Sequence, residues 1–141
     1  MQKIDAFVIV KYRSRYLLGK RKNAYKSGYF GFPGGRLHTG ETIHECAVRE
    51  LAEEVNLRAT SLRFIGVIRE TQGKYDFIHF AFFCNRFSGK VKCLEPDKCE
   101  YWIWTDGKKL IAPMLPAHRI AISLLHTNSY QSGSFVYLST M

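Results

Sequence analysis

The sequence predicts an α/β fold: a mixed β-sheet with helices on both faces. Three observations predict it. Runs rich in β-branched and aromatic residues, separated by turn residues, recur from Ala6 to Thr105. Between them, Ile43, Ala47, Leu51 and Val55 follow the four-residue spacing of a buried helical stripe. A second such stripe, Ile120, Ala121, Leu124 and Leu125, follows the last long strand. Strands interleaved with two amphipathic helices need a helix layer on each side of the sheet.

Ala6–Tyr12 and Tyr16–Arg21 read as strands joined through Arg13-Ser14-Arg15. Gly28–Gly40 is glycine-rich and holds Pro33, so it reads as loop, with a short strand at Tyr29–Phe32. Thr42–Val55 is the first helix, capped by Thr39 or Thr42. Ser61–Glu70 and Tyr75–Phe87 form a hairpin turning at Gln72-Gly73-Lys74. In its second strand Phe77, His79, Ala81 and Phe83 alternate with Ile78, Phe80 and Phe82, so both faces are expected to be covered. Glu100–Thr105 is a further strand, Pro116–His126 the second helix, and Phe135–Leu138 an edge strand. We find no repeat, low-complexity tract or linker, and expect residues 1–141 to form a single domain.

At 46% hydrophobic and 14% aromatic residues, the chain can bury a core and is not of the disordered class. Its N-terminus shows no signal peptide, and its longest apolar stretch, Phe77–Cys84, is too short to cross a bilayer. A cytoplasmic protein without membrane partners is expected. The cysteines at 46, 84, 93 and 99 lack zinc-knuckle spacing; Cys46 and Cys84 read as small buried hydrophobes in a reducing compartment.

The net charge is +9, and its distribution is uneven. Residues 41–54 hold five of the 12 acids and one of the 21 bases, leaving 20 bases against 7 acids elsewhere, or +13. An acidic cluster in a basic body suits a polyphosphate chelated to metal: the acids hold cations and the basic surround attracts the anion. A solvated acidic helix and plain nucleic-acid affinity remain open on charge alone.

The pattern inside the helix is more specific. Glu50, Glu53 and Glu54 occupy an arc of roughly 100°. Like charges at these spacings oppose helix formation, and a divalent cation removes the conflict. Hard oxygen donors favour magnesium or manganese over zinc. The preceding Phe32-Pro33-Gly34-Gly35 lets backbone approach a ligand and offer a carbonyl to a metal. Glu41 lies near the helix start, and Arg49 can orient Glu53 one turn away.

Gly35-x5-Glu41-x7-Arg49-Glu50-Leu51-x-Glu53-Glu54-x-Asn56-Leu57 resembles the Nudix box, G-x5-E-x7-R-E-U-x-E-E-x-G-U with U apolar. The single departure is Asn56 for Gly. Asn is the next best residue for a left-handed helix cap, so the departure touches no catalytic group. Leu17–Arg21, Gly28–Gly35 and Glu95–Trp104 also resemble family segments, so the likeness spans residues 4–126.

The resemblance to this Nudix (MutT-like) hydrolase family implies an α/β/α sandwich and attack of a metal-activated water on phosphorus. Glu50, Glu53 and Glu54 then become Mg2+ (or Mn2+) ligands with the Gly34 carbonyl. Glu50 is also the candidate base, Arg49 orients the glutamates, and Glu41 supports a metal. Glu100, with Glu95 second, is the acid expected to complete the site. Arg21 or Lys20 should contact phosphate; sheet alternation sends them to opposite faces, and the bidentate guanidinium favours Arg21. Phe80, Phe82, Trp102 or Trp104 are candidates to stack a base, and the loop Met114–His118 to close over it, with His118 a candidate contact. The resemblance is nearest to enzymes that cut nucleoside triphosphates to monophosphate and pyrophosphate. Nucleotide sugars of the GDP-mannose or ADP-ribose type, RNA 5′ ends, and a non-catalytic nucleotide-binding module are the alternatives. A homodimer is left open.

Overall fold

The computed structural model describes residues 2–127 and 134–140. Strand β1 (Gln2–Tyr12) turns through a tight hairpin into β2 (Arg15–Arg21), and β3 (Phe30–Gly31) and β4 (Gly34–Arg36) follow. Helix α1 (Ile43–Val55) leads to β5 (Arg58–Ala59), the hairpin β6 (Arg63–Gln72) and β7 (Tyr75–Cys84), β8 (Phe87–Ser88) and β9 (Cys99–Asp106). Helix α2 (Pro116–His126) and β10 (Ser134–Thr140) complete the order.

The sheet is mixed. Its strands run β10-β6-β7-β1, with β4 antiparallel to β1 and β2 carrying β3 and β9. The β6–β7 hairpin is antiparallel, whereas β1 lies parallel to β7 and β10 parallel to β6. The apolar faces set the layers. Ala6, Val8, Val10, Phe82 and Cys84 pack against Cys46, Ala47, Leu51 and Val55 of α1. Phe7, Ile9, Ile65, Ile68, Ala81 and Phe83 pack against Ala117, Ala121 and Ile122 of α2. The chain therefore forms the expected α/β sandwich, with Cys46 and Cys84 both fully buried and unpaired.

Helix α1 is fixed by local chemistry at both ends. Thr42 Oγ1 accepts from Glu45 N (3.1 Å) while Glu45 Oε1 accepts from Thr42 N (2.8 Å), a reciprocal capping box. Asn56 ends the helix in the left-handed region, φ 65°, and its N–H reaches back to Ala52 O. Two short elements escape the sequence patterns. Gly34–Arg36, read as loop, is a strand on the edge of β1; Phe87, read as the end of a long strand, instead forms with Ser88 a short strand paired with Arg58–Ala59. Both are too short to carry periodicity. Among the described residues no helix is long and apolar enough to cross a membrane.

Candidate active site

The strand order creates one large cavity on the α2 side of the sheet. Its volume is about 680 Å³, and its floor crosses β4, β1, β7 and β6. With strands about 4.8 Å apart, the span from β4 to β6 is roughly 14 Å.

Carboxylates gather at the β4 edge. A Cβ on Gly35 would lie 2.4 Å from the Glu50 carboxyl carbon, so only glycine lets Glu50 approach the strand this closely. Glu54 Oε1 accepts from Gly34 N at 2.6 Å. Burial pushes the Glu54 carboxyl up to about 8 against the pull of that N–H, and neighbouring Glu50 and Glu95 add to the rise. Glu50 is also raised, chiefly by burial, although Arg49 opposes the shift. Glu95 lines the same cavity.

Arg49 organises this edge. Its Nε and Nη2 bond Glu41 at 2.5 and 3.0 Å, and its Nη1 bonds Glu50 at 2.6 Å and Glu53 at 3.1 Å. Nη2 also donates to Arg36 O. The Arg49 pairing holds the Glu41 carboxyl down at about 2. Glu53 is half exposed at 48% and is not part of the cavity lining.

The donor chemistry fits magnesium or manganese: hard oxygens of Glu50, Glu54 and Glu95 face one cavity, and Glu54 is a buried carboxyl whose direct partner is a backbone N–H. Gly34 lies beside them. Among the described residues no three acidic, histidine or cysteine side chains already converge as a ligand set. Arg49 holds Glu41, Glu50 and Glu53, and Gly34 N–H holds Glu54, so a cation would draw these carboxylates from partners they now have.

The remaining candidates divide. Arg21 lines the cavity, with its Nε donating to Tyr25 O at 2.9 Å; burial lowers its pKa while Glu54 and Asp5 oppose the shift. Lys20 pairs with Glu100 at 3.4 Å, and neither lines the cavity. Alternation sends Lys20 and Arg21 apart, and Glu100 follows Lys20; Glu95, on the loop before β9, is the outer acid that faces Glu50 and Glu54. Phe80 and Phe82 are not brought to the cavity. They point to the α1 side, where Phe82 is buried in the core. Trp102 packs on Gly19 and borders a recess of about 30 Å³, too small for a nucleobase, while Trp104 stacks on Phe87 at 6.1 Å. His118 does reach the cavity wall. Its Nδ1 accepts from Phe32 N at 2.8 Å, its ring stacks on Phe7 at 3.8 Å, and burial drives its pKa far down, so it is neutral.

Sequence reasoning missed the polar group on the other side of the cavity. His79 Nδ1 bonds both Asp5 oxygens at 2.8 and 3.0 Å, and its Nε2 bonds Glu70 Oε1 at 2.9 Å. Tyr25 OH donates to Glu70 Oε2 at 2.9 Å, and its ring lies against Tyr75 and Phe77. Burial disfavours a charged His79, but Asp5 and Glu70 overcome it and hold the pKa up at about 9. The available signal was a histidine within the apolar run Phe77–Cys84.

Comparison with known proteins agrees with this geometry. The family profile described as NUDIX domain matches residues 2–125. The chain is 40% identical over 76 residues to the oxidized purine nucleoside triphosphate hydrolase of Danio rerio, covering 54% of this chain and 46% of that protein. It is 29% identical over 102 residues to the 8-oxo-dGTP diphosphatase of Buchnera aphidicola, covering 72% and 76%. Against the first of these relatives, the match therefore spans about half the relative's length. The structure of a MutT NUDIX hydrolase from Burkholderia pseudomallei superposes with a TM-score of 0.85 at 25% identity, covering 89% of this chain and 98% of that one. With the glycine strand, the Arg49-held carboxylates and the sandwich in place, this chain belongs to the NUDIX domain family.

Proposed function

We propose that this chain is a divalent-metal-dependent pyrophosphohydrolase cutting nucleoside triphosphates to monophosphate and pyrophosphate. The observation that carries the reading is one cavity with partly buried carboxylates at the β4 edge, a guanidinium beside them, and aromatic rings across the sheet. The names of the Danio rerio and Buchnera aphidicola relatives support the same substrate class.

Glu50, Glu54 and Glu95 are the residues that would hold magnesium or manganese, with Glu53 and the Gly34 carbonyl also candidates. The bound ion would neutralise phosphate oxygens and acidify water. Arg21 grips phosphate oxygens and stabilises charge as the anhydride bond breaks. Glu50 accepts the proton of the attacking water. Its partial burial raises its pKa toward neutrality, which improves a carboxylate as a base, and Arg49 fixes its orientation. The water oxygen joins phosphorus, the anhydride oxygen leaves with pyrophosphate, and the proton resides on Glu50.

The test is a panel of nucleoside triphosphates, nucleotide sugars and 5′-triphosphate RNA, assayed with Mg2+ or Mn2+ and with product identification. Monophosphate and pyrophosphate from triphosphates, abolished by chelator and reduced by several orders of magnitude in Glu50→Gln, is expected. Full turnover in excess chelator, or cleavage confined to sugars or RNA, overturns the reading.

A further inference from the structure

We propose that Asp5 is a specificity-determining residue, reading a ligand edge that presents two adjacent N–H donors, as the guanine ring does through N1–H and its 2-amino group. The inference rests on the proposed use of this cavity for a nucleotide.

Three observations carry it. The first is position. Asp5 is the register partner of Arg36 on β4 and of His79 on β7, so it lies one strand in from the edge where Gly35 meets Glu50. A nucleotide with its phosphates at that edge would run over β1 toward β7, so the Asp5 carboxylate and its His79 partner lie along its path. The second is hydrogen-bonding capacity. Both oxygens of Asp5 bond a single N–H of His79, yet a carboxylate offers about four lone-pair sites. Its side chain is 19% exposed and lines the cavity, so acceptor sites remain for a ligand. Glu70, by contrast, is 5% exposed and spends its two oxygens on His79 and Tyr25.

The third is charge and shape. An imidazolium between two carboxylates leaves the group of three with one net negative charge. That charge, partly offset by Arg21, favours N–H donors at Asp5. The partly exposed Tyr25 ring lines the same cavity, and Phe77, stacked between Tyr75 and His79, makes the wall behind it apolar, which suits a flat heterocycle. Adenine offers one amino donor flanked by ring acceptors. Uracil offers one N–H between two carbonyls, which would face the carboxylate with like partial charge. The guanine edge alone of these places two donors side by side, matching a carboxylate that accepts in pairs. His79 and Glu70 act as positioning residues: His79 Nδ1 holds both Asp5 oxygens and fixes their orientation, and Glu70 holds His79 through Nε2.

The experiment measures binding without turnover. Guanosine, inosine and adenosine monophosphates are titrated calorimetrically into the wild type and Asp5→Asn. Inosine lacks only the 2-amino group. The wild type should bind the guanosine ligand at least tenfold more tightly than the other two, as expected for one added hydrogen bond to a charged acceptor. In Asp5→Asn, which keeps an oxygen for His79, the guanosine preference should shrink to a few-fold. Equal affinity for guanosine and inosine ligands in the wild type overturns the proposal. So does an undiminished preference in Asp5→Asn. Should that variant fail to fold, the wild-type comparison still decides. Triphosphate cleavage failing while the guanosine preference holds would remove the hydrolase reading and leave this one standing; the reverse pattern would do the opposite.

Discussion

Asn56 and His79 show how single residues carry strain and charge in this fold. Asn56 holds φ 65°, and its side chain donates to Lys90 O at 3.0 Å. Glycine avoids the side-chain penalty there but loses that exposed hydrogen bond, so Asn56→Gly should melt within a few degrees of the wild type. Asn56→Val should lose about 1 kcal/mol or more, because a β-branched residue resists positive φ. Equal melting temperatures for the two variants would contradict the cap. His79 makes a pH prediction. Its folded pKa is about 9 against an ordinary 6.5, so its stabilisation is complete below 6.5 and is lost as pH rises through 9. Denaturant unfolding should show stability falling across that window by on the order of 3 kcal/mol. His79→Gln should be less stable at pH 6 and show a flatter profile above it. A wild-type profile flat from pH 6.5 to 9.5 would mean that His79 is not held as an imidazolium.

At the scale of elements, the short strand β4 and helix α1 make the acidic edge together, and the two glycines of β4 serve different ends. A Cβ on Gly34 would lie 2.3 Å from Ala6 O, a backbone atom that cannot move without breaking the β1–β4 pairing. A Cβ on Gly35 meets the end of the Glu50 side chain, which can swing aside. Gly34→Ala should therefore lower the melting temperature markedly. Gly35→Ala should stay folded and lose activity as Glu50 is displaced. Thermal melts paired with hydrolysis assays separate the two, and a folded, active Gly35→Ala would show that Glu50 need not approach β4. The capping box supplies a control. Glu45 is exposed and closes the N-terminus of α1 through its Oε1, a role glutamine also fills, so Glu45→Gln should leave both stability and turnover near wild type.

Across the whole molecule, an acidic cavity edge sits in a basic body, and Arg21, one of several cations on the cavity lining with Lys3, Arg36 and Lys98, lies near the Glu54 carboxyl. Arg21→Ala should lower kcat/KM about a hundredfold, equivalent to about 2.7 kcal/mol, with the metal requirement unchanged. Lys20→Ala should change it little, because Lys20 is paired with Glu100 away from the cavity. Steady-state kinetics showing the larger loss at Lys20 would contradict this division. The excess of +13 outside residues 41–54 should act as long-range attraction for the substrate and weaken as salt screens it.

Helix α1 was legible in the sequence to its caps. Its stripe, its capping residues and the spacing of Glu50, Glu53 and Glu54 depend on neighbours within a few positions, and such relations survive in a linear reading. The long strands were legible as strands, the short β4, β5 and β8 were not, and alternation separated Lys20 from Arg21. Which face of a strand meets the ligand was not. Both faces of β7 are covered, one by α1 and one by α2, so its apolar pattern is nearly symmetrical; the cavity lies over Phe77 and His79, whereas Phe80 and Phe82 turn to the other layer. Glu95 and Glu100 likewise differ only in how the chain enters β9. The Asp5–His79 contact joins residues 74 apart through the parallel pairing of β1 with β7, and Glu70 joins them across the antiparallel β6–β7 hairpin. Pairing between distant strands is set by how the whole sheet packs against its two helices, so the sequence alone determined the acidic helix, and only the tertiary structure decided what faces it.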